Sequence, residues 1–138
     1  MLFSRDLERL KNEIEAVDET GLWVTKGYVK NSAGNLALHL VGNLNNYVAK
    51  VFGKSGYIRD RDAEFSSKNI PKDEVLSQIT LTKKAVISAL KNITDDELSD
   101  IYPEEVFGYE MTNGFFLSHL LSHLSYHLGQ INYLRRLL

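Results

Sequence analysis

The sequence predicts an all-α protein, an up-down four-helix bundle forming one domain over residues 1–138. Four long segments without internal proline carry apolar residues at helical spacing, and glycine and proline fall between them. No segment alternates apolar and polar residues as a half-buried strand would. With 138 residues, 43% hydrophobic and 25% charged, the chain has the size and composition of a single soluble domain.

The first predicted helix runs from about Ser4, a plausible N-cap, to Val17. Its apolar positions Leu7, Leu10 and Ile14 recur every three or four residues. The loop that follows contains Trp23 and Tyr28, and we expect both rings to pack under the bundle.

The second predicted helix begins at Asn31 or Ser32 and ends before Gly53. Beside its apolar stripe runs a line of polar residues, which is uncommon next to a core. The line consists of Asn35, His39, Asn43 and Asn46.

The third predicted helix begins at Pro71 and the fourth runs from Thr112 or Asn113 to the end of the chain. Between them, Thr94 and Glu97 have the spacing of a capping box at the start of a short helical turn. The segment between the second and third helices reads as a long polar loop.

Composition excludes several classes of function. The formal net charge is −2, so the chain lacks the basic excess of a general nucleic-acid-binding protein. It has no cysteine, which excludes disulfides, thiolate metal ligands and a cysteine nucleophile. No stretch resembles a signal peptide or a membrane span, so we expect a cytoplasmic protein that binds neither nucleic acid nor membrane.

Three of the four histidines, His119, His123 and His127, lie four residues apart near the C-terminus. Neighbours at this spacing share a helix face, and one adjacent pair can ligate one ion. The outer two are about 12 Å apart along the axis, too far for metal–nitrogen bonds of about 2 Å. Spacing therefore leaves two possible pairs, and both include His123.

His39 lies in the polar line of the second helix, which can face the last helix across a bundle. Three imidazoles from two helices would leave coordination positions open, as catalytic metal sites do. The alternative is that these histidines lie in or beside the core and bond backbone carbonyls and asparagines. We favour metal ligation because three of them cluster on one face and a fourth lies in a polar line.

The stretches "HLVGNLNNYV", "RDRDAEF" and "HLSYHLGQINYLRRLL" resemble, in order and spacing, the DinB-like family, and in particular its small four-helix branch of unknown function. The resemblance implies a divalent metal held by His39, His123 and His127. Gly129 and Gln130 match the family's glycine-glutamine after the last ligand, which selects this pair and leaves His119 as a core or supporting residue. No acidic residue beside the triad is evident, so no general base is carried over and the catalytic residues are unknown.

The resemblance further implies a metal-dependent enzyme, either a transferase using a low-molecular-weight thiol or a hydrolase acting on a small-molecule substrate. The metal can be nickel, zinc or iron, since all three accept imidazole. Family members often form homodimers, so we expect a homodimer here. The alternative function is a non-catalytic interaction or stress-related bundle with structural histidines.

Three further features have two interpretations each. The segment Arg59–Phe65 is either a solvated, self-compensating charged loop, which we favour slightly, or a rim whose arginine binds a substrate carboxylate. Gly129 indicates close helix packing or close approach beside a metal. Arg135 and Arg136 are expected to stabilise the helix end or to contact a dimer partner.

Overall fold

The computed structural model describes all residues, 1–138, and contains helices but no sheet. The main elements are α1 (Leu2–Ala16), α2 (Ala33–Leu44), a π-helical turn (Asn45–Ala49), α3 (Lys50–Gly53), α4 (Arg61–Ser66), α5 (Lys72–Leu90), α6 (Asp95–Ser99) and α7 (Asn113–Leu137). Since α2, the π turn and α3 are continuous, four long helical units form the bundle. The predicted all-α four-helix bundle is confirmed.

The apolar stripes of these units face one core. Leu7, Leu10 and Ile14 of α1 are fully buried, as their spacing predicts. Leu40 of α2 and Leu124 of α7 are buried in the same cluster. At about 1.5–3 kcal/mol for each large apolar side chain removed from water, this cluster supplies the main stabilisation of the bundle.

The helix ends follow local sequence signals. The Ser32 side chain accepts a hydrogen bond from the backbone N–H of Asn35 and caps α2, and Thr112 caps α7 in the same way. Thr94 and Glu97 form the predicted capping box at α6. One boundary differs: α1 begins at Leu2, with Met1 rather than Ser4 at its N-cap.

The order of helix directions differs from the predicted up-down alternation. Lys72, at the start of α5, donates to the Val17 carbonyl at the end of α1, so α1 and α5 are antiparallel. Arg135, near the end of α7, pairs with Glu13 near the end of α1, so α1 and α7 are parallel.

The second helical unit runs in the same direction as α5. Trp23 and residue 70, which precede α2 and α5, meet through a hydrogen bond of 3.1 Å from the Trp23 Nε1 to the Ile70 carbonyl. At the other end, Gly53 lies against Ala89. The directions are therefore up, down, down, up, because residues 54–71 return along the bundle between two parallel helices.

Residues 54–71, which we term the return segment, were expected to be a polar loop. They contain α4, and Asp60 caps it by accepting from the backbone N–H of Ala63 at 3.1 Å. The segment is held to α2 by Asn35, whose side-chain nitrogen donates to the carbonyls of Glu64 and Ser67 at 3.0 and 2.8 Å. One member of the polar line thus positions α4.

Trp23 packs as predicted, half-buried against Gly34. The prediction for Tyr28 is wrong, because its ring is fully exposed. No helix has the length and apolar character needed to cross a membrane.

Candidate metal centre

The structure brings His39, His123 and His127 together at the interface of α2 and α7. The Nε2 atom of His123 lies 3.1 Å from the Nε2 of His39 and 3.1 Å from the Nε2 of His127. His39 is buried, and the other two are partly buried. One potential ligand atom from each histidine lies within 4.8 Å of the other two.

Two of the three nitrogen–nitrogen distances fit the ligation of a single divalent ion. Metal–nitrogen bonds of about 2.0–2.1 Å, at angles of about 90–110°, put two ligand nitrogens about 3.0–3.4 Å apart. The two separations of 3.1 Å fall in that interval, and the ligand atoms of His39 and His127 lie within 4.8 Å of each other. The donor set, three imidazoles without a carboxylate, suits zinc, nickel or iron equally.

The hydrogen bond on the other side of His39 fixes its tautomer. Its Nδ1 lies 3.0 Å from Oε1 of Glu64, and a carboxylate only accepts hydrogen bonds. The proton of His39 therefore lies on Nδ1, and the lone pair on Nε2 faces the other two histidines. Carboxylate support of this kind is the common outer arrangement of metal-binding histidines.

The tautomer of His127 is fixed in the same way by Gln130, which lies one turn later in α7. Its Nδ1 lies 2.7 Å from the side-chain oxygen of Gln130, so this nitrogen donates and Nε2 again carries the lone pair. His123 has no such partner, since its Nδ1 is buried without a hydrogen bond. The Nε2 of His123 faces the lone pairs of both other histidines, and a proton on it could form a hydrogen bond to only one of them. An ion satisfies all three.

Burial and mutual proximity keep His123 and His127 neutral. Burial, together with smaller contributions from the nearby rings of His127 and His39, lowers the pKa of His123 to about 4. Burial also lowers the pKa of His127, against an opposing contribution from the Gln130 hydrogen bond. Neutral imidazoles are the form in which histidine binds metal.

Glu64 is a buried carboxylate with a second partner. Arg59 donates from Nε to Oε2 and from a terminal nitrogen to Oε1, each at 2.8 Å, a bidentate pair. Burial alone would raise the pKa of the Glu64 carboxyl, but the hydrogen bonds from His39 and Arg59 outweigh it and hold that pKa below its ordinary value. Glu64 is therefore ionised and supports His39 with a fixed charge.

Gly42 makes room for this carboxylate. A Cβ at Gly42 would lie 1.8 Å from Oε2 of Glu64, so the carboxylate rests directly on the α2 backbone, three residues after His39. The stretch "HLVG" thus supplies both the imidazole and the gap that its carboxylate partner fills.

Comparison with known proteins adds family and fold. A family model described as a protein of unknown function, DUF1572, matches residues 4–138, nearly the whole chain. The chain belongs to the DUF1572 family.

A DinB-like protein from Bacillus cereus has a similar structure, with a TM-score of 0.75 and 20% sequence identity. The match covers 95% of the present DUF1572 chain and 84% of the other. The DinB-like fold expected from the sequence resemblance is therefore confirmed. No curated protein matches this DUF1572 chain.

His119 does not belong to the triad of this DUF1572 protein. It is exposed, so the expected core position is wrong, and its ring lies 4.8 Å from that of Phe107. It lines a cavity beside the triad, together with Asn43, Arg59 and Arg61.

The surface-loop interpretation of Arg59–Phe65 is wrong for Arg59 and Glu64, which form a buried pair. Two of the three guanidinium nitrogens of Arg59 already donate to Glu64. Arg61 is exposed and lies over the Phe65 ring at 5.4 Å. Sequence reasoning missed Glu64 as the acidic partner of the triad, because no local signal distinguishes it from its charged neighbours in the segment.

The structure also tests the expectations for Gly129 and for the two arginines near the end of α7. The expected close approach at Gly129 is wrong, because a Cβ there would meet nothing within 4 Å. Arg135 pairs with Glu13 of α1, whereas Arg136 lies over the ring of Tyr133 on its own helix.

Proposed function

We propose that this DUF1572 protein is a divalent-metal-dependent enzyme whose ion is held by His39, His123 and His127. The observation that carries the proposal is the convergence of three Nε2 atoms, two of them with their lone pairs fixed inward by Glu64 and Gln130. A cluster of neutral nitrogen acceptors without enough protons between them is costly unless a cation is shared.

The reaction class we propose is transfer from or to a small thiol, or hydrolysis. A divalent ion with an open position supplies Lewis acidity toward a thiol or water molecule. The protein keeps His123 and His127 neutral, and it orients His39 and His127 through Glu64 and Gln130. Glu64 is engaged by Arg59 and His39, so its role is to orient His39 rather than to take a proton from the substrate.

Metal analysis of protein purified without a histidine tag tests the site. We expect about one equivalent of nickel, zinc or iron, and its loss in His39→Ala and His127→Ala. His119→Ala is the matched control, since His119 lies on the same helix but outside the triad, and it should retain the metal. Substoichiometric metal that the triad variants leave unchanged would sink the proposal.

A conjugation screen then tests the reaction. Low-molecular-weight thiols such as bacillithiol and mycothiol are incubated with electrophilic substrates, with and without chelator, alongside a set of hydrolysable esters and amides. Turnover that chelator abolishes and added metal restores supports the enzyme. Metal binding with no metal-dependent turnover leaves a metal-binding protein.

The rival is a non-catalytic interaction or stress-related bundle whose histidines tie α2 to α7. The contact of 3.1 Å between His39 and His123 favours it, because it joins the two helices directly. On this alternative, His39→Ala lowers the stability of the metal-free protein, and chelator has no effect on stability. On our proposal, chelator lowers the stability of the purified protein.

We also propose that the protein is a homodimer. Exposed apolar side chains near the end of α7, among them Tyr133 and Leu137, border a cavity of about 440 Å³ with Tyr28 and Val29. Light scattering coupled to gel filtration would give the mass directly. The cytoplasmic location stays a prediction, which cell fractionation would test.

A further inference from the structure

A cavity of about 220 Å³ lies beside the triad, with His39 and His123 in its wall. Its other walls come from the π turn, the first half of α7, the segment around Phe107, and the return segment with Arg59 and Arg61. This volume is below the roughly 300–1,000 Å³ of sites for drug-sized ligands, so the cavity suits a small molecule.

The charge around this cavity is unbalanced. No aspartate or glutamate lines it. Arg59 is matched by Glu64, whereas Arg61 forms no ion pair. The neighbouring Asp60 is exposed and caps α4. Arg61, flanked in sequence by the exposed Asp60 and Asp62, therefore forms no ion pair, and the other basic groups of the cavity are imidazoles and the Arg59 guanidinium that pairs with Glu64.

The rest of the lining is aromatic and amide. The ring of Phe107 lies 5.9 Å from that of Phe116 and 4.8 Å from that of His119, so three rings meet at one wall. Asn43 is buried, and its side-chain oxygen has no hydrogen-bond partner. This buried oxygen accepts hydrogen bonds, so it needs a donor from outside the chain, such as ordered water or an N–H or O–H group of a ligand.

We propose that this cavity binds a small organic anion with a planar apolar body. The anionic group lies on the Arg61 guanidinium, with the His119 imidazole as a second hydrogen-bond partner, and the body packs against Phe107 and Phe116. The Asn43 side-chain oxygen accepts a hydrogen bond from a bound water or from an N–H or O–H group of the ligand. This names the substrate class of the proposed metal centre and rests on that function in one respect: a divalent ion on three neutral ligands adds positive charge beside the cavity.

Calorimetric titration with defined probes tests the inference. The probes are benzoate, phenyl phosphate, the neutral benzamide, and acetate, which lacks the ring. The variant is Arg61→Ala. Arg136→Ala is the matched control, because Arg136 also lies over an aromatic ring, that of Tyr133 at 4.7 Å, but does not line the cavity.

We expect benzoate or phenyl phosphate to bind more tightly than acetate and benzamide, and the stronger of the two identifies the anion type. Arg61→Ala should weaken that binding about tenfold, the usual scale of one charge-assisted pair, and Arg136→Ala should leave it unchanged. Binding of neither anion, or equal binding by Arg61→Ala and the parent protein, overturns the inference. Equal affinity for acetate and benzoate would show that the cavity does not recognise a planar apolar body.

The same titrations on metal-free and metal-loaded protein separate this inference from the proposed function. Arg61-dependent binding in a protein that takes up no metal would support the anion site and count against the metal centre. Metal bound through His39 without any Arg61-dependent anion binding would support the metal centre and count against the anion site.

Discussion

The Glu64 carboxylate fills the space that a side chain on Gly42 would need: a Cβ at Gly42 would lie 1.8 Å from Oε2 of Glu64. The two residues lie on different elements, α2 and α4, and both adjoin His39. Because Gly42 has no side chain, the Glu64 carboxylate packs against the α2 backbone, and this position aligns it with the His39 imidazole.

The substitution Gly42→Ala should therefore move Glu64 and loosen His39. We expect the free energy of unfolding to fall by about 1–3 kcal/mol, the usual cost of an overpacked site, and metal affinity to fall with it. Urea unfolding of metal-free protein and a competition titration with a chromogenic chelator measure the two quantities. An unchanged metal affinity would show that Glu64 does not support His39.

Gly129 offers the opposite substitution on a helix of the same bundle. It is exposed, and an added methyl group meets nothing within 4 Å. Since glycine inside a helix costs about 1 kcal/mol relative to alanine, Gly129→Ala should raise the free energy of unfolding by up to that amount. Metal content should stay as in the parent protein. Destabilisation in urea would mean that Gly129 has a contact that only a glycine permits.

Glu64→Gln should leave Arg59 with an uncompensated charge in a largely buried position. Removing one partner of a buried pair costs about 3 kcal/mol or more, whereas removing both costs less. We therefore expect the double variant Arg59→Met, Glu64→Gln to be more stable in urea than Glu64→Gln alone. Equal stability of the two variants would argue against a buried charge as the cause.

Gln130→Ala separates metal binding from folding. Gln130 is exposed, so the free energy of unfolding should change by less than about 0.5 kcal/mol. Metal affinity should fall about tenfold, because the Nδ1 proton of His127 loses its acceptor. Gln130→Glu keeps an acceptor and should retain the affinity. The tautomer of His127, followed by nitrogen NMR of metal-free protein, should become mixed only in the alanine variant.

Glu13 makes the contact between α1 and α7 dependent on pH. Burial would raise the pKa of its carboxyl, but hydrogen bonds from Arg135 and Asn132 outweigh burial and lower it. A lowered pKa in the folded state adds stability that is present above the unfolded value, near 4.5, and is lost as the pH falls through the folded value. The stability difference between the parent and Glu13→Gln should therefore be constant at neutral pH and shrink below about pH 4.5. A constant difference down to pH 3 would contradict it.

The four helical units were predictable because helical periodicity and capping residues act within a few positions of one another. Ser32 and Thr94 cap the helices that their neighbours predict. The placement of His39 beside His123 was not available from spacing, since 84 positions separate them, and it came from the family resemblance. The structure shows them in contact.

Glu64 was missed for a different physical reason. In "RDRDAEF" five of the seven residues are charged, and nothing local marks which charge is buried. That choice depends on Gly42 and Arg59, which lie elsewhere in the fold. Gly129 was misjudged because a glycine in a helix has the same appearance in sequence whether a neighbour approaches or not.

The parallel course of the second and third long helical units has a consequence for how such proteins diversify. Because residues 54–71 must travel back along the bundle, they bring Arg59, Arg61 and Glu64 alongside ligands that the helices supply. On the proposed function, the helices would hold the ion and the return segment would shape the cavity beside it. Relatives that differ in the return segment but keep Gly42 could acquire a new ligand preference without changes to the helices.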